Sequence, residues 1–202
     1  MKLIRPMFTT MLLAACFLTG CQSPQAKSPG GAGAGQATRN NCYSLLHQLL
    51  DEQKDVSILR FIKREQKDVN ILVKKIAVTS ATGAKLLEEL ARQDPSICLD
   101  DFRLPPGEMG TRDAIAATKK KELLSQTGDE FELTLLLTQT EALSYGWHLA
   151  KVAGENETQP DRAQALAGVS ADMKRLYDEV YLLLLSKTKS AATNRAGLKN
   201  IK

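Results

Sequence analysis

Histidine is almost missing from this chain, with only His47 and His148 in 202 residues. Metal sites built between helices draw on Glu-x-x-His pairs. The residues three before each histidine are Ser44 and Tyr145, so that motif is absent. Glu141 and His148, seven positions apart, share a helical face and are the only metal candidates. They read first as a surface or packing contact, and no metal or cofactor is expected. Nucleophilic catalysis has as little to draw on, because no G-x-S-x-G elbow occurs. The adjacent acids Asp100-Asp101 and Glu88-Glu89 read as solvated side chains rather than as a general acid–base pair. No glycine loop that could cradle a phosphate is present either. The chain is not expected to be an enzyme.

Aromatic residues are scarce at 5% and β-branched runs are few, whereas Leu and Ala are plentiful and 43% of residues are hydrophobic. That balance fills one core with packed helices rather than a sheet. No concentrated basic face is evident. The formal charge of +4 includes Lys2 and Arg5 in residues 1–20, where there is no acid, leaving +2 for the remainder. Five more basic residues, Lys187, Lys189, Arg195, Lys199 and Lys202, stand in 187–202, again without an acid, which leaves the body at −3. A mildly acidic body argues against nucleic acid as a partner, since phosphate binding needs clustered cations.

Long apolar runs are also missing. The longest, Met7 to Leu18, falls short of the roughly 20 residues a membrane-spanning helix needs. It follows Lys2 and Arg5 and leads into Leu18-Thr19-Gly20-Cys21. This is the plan of a secretory signal, and its last four residues resemble the lipobox of bacterial lipoproteins. The resemblance implies cleavage after Gly20 and acylation of Cys21, giving attachment to a membrane through lipid. Several acyl chains, at about 0.8 kcal/mol per buried CH₂, hold a protein stably. Gln22 in place of Asp implies the outer membrane, periplasmic face, with the inner membrane or cell surface as alternatives. Residues 22–39, rich in Gly, Ala, Ser, Pro and Gln, read as a flexible tether of roughly 20–25 Å reach.

From Asn41 onward the pattern is helical. Leu45, Leu49, Val56, Leu59 and Ile62 set helix one at about 41–64. Val69, Leu72, Ile76, Thr79, Gly83, Leu86 and Leu90 set helix two at about 66–93, ended by Asp94-Pro95. A proline loop leads to helix three, Pro106 to Gln126, closed by Gly128. Helix four, about 129–153, carries Phe131, Leu135, Thr138, Ala142, Tyr145, Leu149 and Val152 at heptad spacing, and Leu133, Leu136, Leu137, Leu143 and Trp147 widen its expected buried surface. Helix five, about 161–186, repeats Leu166, Val169, Met173, Leu176, Val180 and Leu183. The expected fold is all-α, an up-and-down bundle of four main helices plus one shorter helix. Its expected divisions are a signal (1–20), a lipidated Cys and tether (21–39), a bundle domain (40–186) and a basic disordered tail (187–202).

Two cysteines remain in the body. Cys42 opens helix one and Cys98 follows helix two, so an antiparallel hairpin brings them to one end. In an oxidising compartment they are expected to pair, closing a loop of about 57 residues worth on the order of 4 kcal/mol; two free thiols are the alternative. Tyr145, Trp147 and Tyr181 read as core aromatics or as the lining of a groove between helices. Arg103, Glu108 and Arg112 read as charge pairs around the Pro105-Pro106 turn. The sequon Asn156-Glu157-Thr158 carries no meaning beside a bacterial lipobox.

Phe131-Glu132, Leu135 and Gln139 resemble the F-[DE]-x-x-[YL]-x-x-x-Q pattern of a bacterial ferritin-like family of periplasmic and lipoprotein bundles of unknown function. The order of parts is similar too: a hairpin with Lys85 to Ala91 near its end, a proline loop, then two helices, over about residues 40–186. The family often has His one turn beyond the Gln, where this chain has Leu143. The resemblance implies a ferritin-like bundle and an envelope location, and no activity. The expectation is a non-enzymatic, membrane-anchored bundle with an envelope protein as partner; the alternative is a small-molecule or metal-binding ferritin-like bundle.

Overall fold

A computed structural model describes residues 32–58 and 66–199, with side chains placed as far as Lys189. The described residues form five α-helices and one 3₁₀ turn, with no strand. They are α1 (Ala32–Lys54), the turn (Val56–Ile58), α2 (Lys67–Gln93), α3 (Pro106–Ser125), α4 (Gly128–Glu155) and α5 (Pro160–Lys199). The chain is all-α.

Punctuation in the sequence sets the joints. Pro106 stands in the first turn of α3, where its missing N–H leaves no bond unmade. Gly128 adopts φ +58° between α3 and α4, a left-handed conformation that only glycine takes without strain. Asp129 and Glu130 then occupy the first turn of α4 and complement the positive end of its dipole.

Contacts between helix ends give the directions. The first part of α1 meets the end of α4 through Tyr43 and Glu157, and the end of α2 through Arg39 and Ser96. The start of α2 meets the start of α4 through Gln66 and Glu132, and Lys187 of α5 reaches the same place. α1 and α5 therefore run one way, α2 and α4 the other. α4 packs most extensively on α5, α1 packs on α2 and α4, and α2 packs on α5. Since α2 and α4 are parallel, the chain must return between them, and α3 is that return. It lies outside the other four and chiefly against α4.

The core runs the length of the four helices. Tyr43 and Leu46 from α1, Ile76 and Leu87 from α2, Phe131, Leu135 and Leu143 from α4, and Leu166 and Val180 from α5 are each fully enclosed. Each such side chain contributes roughly 1.5–3 kcal/mol through burial. Gly146 lets three helices close up, because a Cβ there would lie 2.2 Å from the Met173 Cε and 2.8 Å from the Leu49 Cδ2.

Three expectations need correcting. α1 begins at Ala32, so residues 32–39 belong to a helix instead of a tether; Arg39, 5% exposed, is what ties them down. α5 continues through the expected tail to Lys199, and Lys187 is bound to the rest of the protein. The inward face of α4 is Phe131, Glu132, Leu135, Leu136, Gln139, Thr140, Leu143, Gly146, Leu149, Ala150 and Ala153; it keeps Phe131, Leu135 and Leu149 of the heptad read in the sequence, while Thr138, Ala142, Tyr145 and Val152 are half-buried. Leu59 and Ile62, expected on helix one, lie outside the described residues.

Candidate functional site

The densest polar cluster sits where the start of α1, the end of α2 and the α4–α5 turn meet. Its centre is Glu157, whose side chain has no solvent exposure. Arg162 donates to it at 2.8 Å, the Tyr43 hydroxyl at 3.1 Å, and the backbone N–H groups of Thr158 and Gln159 at 2.8 and 3.2 Å. The Arg39 guanidinium stands 3.5 Å away. Arg162 also pairs with Asp94 at 2.9 Å, and Arg39 donates to the Ser96 hydroxyl at 3.1 Å. Burial alone would raise the Glu157 pKa, but the hydrogen bonds from Arg162, Gln159, Thr158 and Tyr43 outweigh it and hold the carboxyl at about 2. Burial, together with the neighbouring Glu157 charge, pushes the Tyr43 hydroxyl upward. The carboxylate is closed to solvent and engaged by all of these donors. It ties α1 and the start of α5 to the α4–α5 turn, and Arg162 and Arg39 carry the tie on to Asp94 and Ser96 at the end of α2.

A second cluster lies at the opposite end. Glu132, 2% exposed, accepts from the Gln66 backbone N–H and from the Lys187 ammonium at 2.8 Å. Lys187 also donates to the Gln66 side chain at 2.8 Å and approaches Asp68 at 3.4 Å. Between the two ends, the Gln139 Oε1 is buried without a partner.

The residues singled out in the sequence fall elsewhere. Gly20 and Cys21 lie outside the described residues. Cys42 is buried and Cys98 exposed, and both are free thiols, so the structure does not contain the expected disulfide. Their segments do meet, since the Ser44 hydroxyl donates to the Cys98 carbonyl at 2.9 Å. The two thiols differ in setting: Cys42 belongs to the core, where burial raises its pKa, while Cys98 lies in an exposed loop. The His148 Nδ1 lies 2.7 Å from the Ser144 carbonyl, and its ring is tilted by 31° against that of Trp147, 3.4 Å between centroids. Glu141 is exposed. His47 contacts Glu88 at 3.3 Å. Among the described residues no group of three His, Cys, Asp or Glu side chains stands close enough to hold a metal ion.

The aromatics do not converge on one groove. Tyr145 accepts from Arg112 at 2.7 Å beneath α3, Trp147 lines a groove of about 450 Å³ between α4 and α5, and Tyr181 stacks on Tyr177 at 6.1 Å. The expected charge pairs around the proline turn are present as Arg112–Glu108 at 2.9 Å and Arg103–Asp101 at 2.7 Å.

Fold and site thus define an all-helical protein closed by internal ion pairs at both ends. No family model, curated protein or solved structure matches the chain. Among the described residues no helix is long and apolar enough to cross a membrane.

Proposed function

We propose that this chain is a bacterial lipoprotein: a ferritin-like helical bundle without enzymatic activity, anchored through lipid on Cys21 at the periplasmic face of the outer membrane, where it engages an envelope protein. The observation that carries this reading is the Leu18-Thr19-Gly20-Cys21 sequence set a short distance ahead of a helical body. The body supports it, because its most deeply buried charged groups, Glu157 and Glu132, are committed to ties between helices. Phe131, Glu132, Leu135 and Gln139, which carry the ferritin-like resemblance, all face inward, as residues of a packing seam would.

With α1 starting at Ala32, only residues 22–31 separate the lipid from the first helix. Ten residues reach at most about 35 Å when fully extended, so on this reading the start of α1, at the end of the molecule holding Glu157, is held within that distance of the lipid.

Metabolic labelling with palmitate and membrane fractionation test the anchor. The full chain should carry label and sediment with membranes, and Cys21→Ala should lose both. A Cys21→Ala protein still found in the membrane fraction would refute it. Chemical cross-linking in intact cells tests the partner. Recovery of no envelope protein with the anchored chain would count against that part.

A further inference from the structure

α3 differs from the other helices in how little it buries. Leu123 alone is enclosed, and the inner side is secured by Arg112, which donates to Tyr145 and lies 4.7 Å over its ring. The outer side carries Gly107, Gly110, Thr111, Ala114, Ile115 and Thr118, all exposed, along a shallow concavity of about 540 Å³. Ile115 is 53% exposed.

The flanking charges indicate what fits this face. Glu108 and Lys119 are eleven positions apart, about three helical turns, so they stand on the same flank. Glu108 is near the start of the helix and Lys119 near its end. A second α3 laid against the first in the opposite direction puts each Glu108 beside the other copy's Lys119. The two-fold axis then passes near Ala114, where small side chains allow close approach. Such a surface is complementary to itself, as an isologous interface must be. The pairs these residues make within one chain, Glu108–Arg112 at 2.9 Å and Lys119–Glu122 at 4.0 Å, are partly exposed. Exchanging such pairs for contacts across an interface costs little.

We infer that the outer face of α3 is a homodimer interface in which two copies pair antiparallel through Gly110, Ala114 and Ile115, framed by Glu108–Lys119 ion pairs. One helix face lies at the small end of specific interfaces, below about 1,200 Å², so the dimer is reversible.

Cysteine cross-linking of the full chain in whole cells tests this, with Cys98→Ser as background to remove the exposed native thiol. Ala114→Cys should give a disulfide-linked dimer on mild oxidation, and Gln164→Cys, exposed on α5, should not. The cross-linked fraction, normalised to the protein present, should fall about tenfold or more with Glu108→Lys or Lys119→Glu, because like charges then face each other. The double reversal should restore it. The inference fails if Ala114→Cys cross-links no better than Gln164→Cys. It fails equally if single reversals change nothing, or if the double reversal recovers no more than the singles.

Discussion

Replacing Glu157 by Gln removes one charge from the end of the molecule and keeps the shape. The magnitude follows from the titration of the group. A carboxyl that titrates near 4.5 when unfolded and at about 2 when folded contributes on the order of 3 kcal/mol to stability near neutrality. Because the folded value is the lower one, that contribution is complete above about pH 5 and is lost as the pH falls through the folded value of about 2. In Glu157→Gln, Arg39 and Arg162 lose the carboxylate between them, and stability at pH 7 should fall by about 3 kcal/mol. With a urea dependence of about 1–3 kcal/mol per molar, the unfolding midpoint should drop by roughly 1–3 M. Urea titrations followed by circular dichroism at pH 7.5, 5.5, 3.5 and 2.5 measure both proteins. The gap between them should be widest at pH 7.5 and should narrow progressively as the pH approaches 2. Other carboxylates destabilise both proteins alike in acid, so the difference isolates Glu157. A gap that is absent at pH 7.5, or equally wide at pH 2.5, refutes this account.

The core and the second ionic cluster make further predictions. Leu46→Ala, at a position with no exposure, should cost about 2–5 kcal/mol, whereas Leu182→Ala, at 67% exposure, should stay within about 0.5 kcal/mol; chemical denaturation of both measures the contrast. Lys187→Met leaves the buried Glu132 without its 2.8 Å partner and should cost about 3 kcal/mol, while the double variant Glu132→Gln, Lys187→Met should recover part of that loss in a double-mutant cycle. Tyr145→Phe removes the acceptor of the 2.7 Å bond from Arg112, and amide exchange in α3 should speed up about fivefold, corresponding to about 1 kcal/mol, with no comparable change in α2.

The helices were legible in the sequence where one apolar stripe repeats without competition. On α5, Leu166, Val169, Met173, Leu176, Val180 and Leu183 were read as the inward face, and all are buried except the half-buried Leu183. α4 was legible in part: Phe131, Leu135, Leu136, Leu143 and Leu149 were read as buried and are buried, but apolar residues surround this helix, and periodicity alone did not set aside the exposed Leu137. Its true seam includes Glu132, Gln139 and Gly146, residue types that a search for hydrophobic periodicity passes over. The Gly and Ala content of residues 32–38 concealed the opening turns of α1, which Arg39 anchors from the residue that follows them. The Glu157 cluster was not legible, because Tyr43 and Glu157 are 114 positions apart and Glu157 stands in a polar turn that resembles any solvated loop. Long-range pairing of this kind is fixed by topology, and local pattern does not encode it.

One signal of that topology was nevertheless present. Glu132 and Glu157 are twenty-five positions apart, and so are Arg162 and Lys187. Twenty-five residues are close to seven helical turns, so Arg162 and Lys187 lie at the two ends of one face of α5, while Glu132 stands in the second turn of α4 and Glu157 two residues beyond its end. Because α4 and α5 run antiparallel, the equal spacings meet in reverse order, Arg162 on Glu157 and Lys187 on Glu132. A seam of Leu, Val, Met and Ala accepts a slip of one turn at modest cost, since similar side chains recur every three or four positions. A slip of one turn here would break both ion pairs, leaving Glu132 enclosed without a cation and Glu157 with Arg39 alone, at a cost of several kcal/mol. Hydrophobic packing therefore supplies most of the attraction between α4 and α5, and the two ionic ends select the register in which they pack.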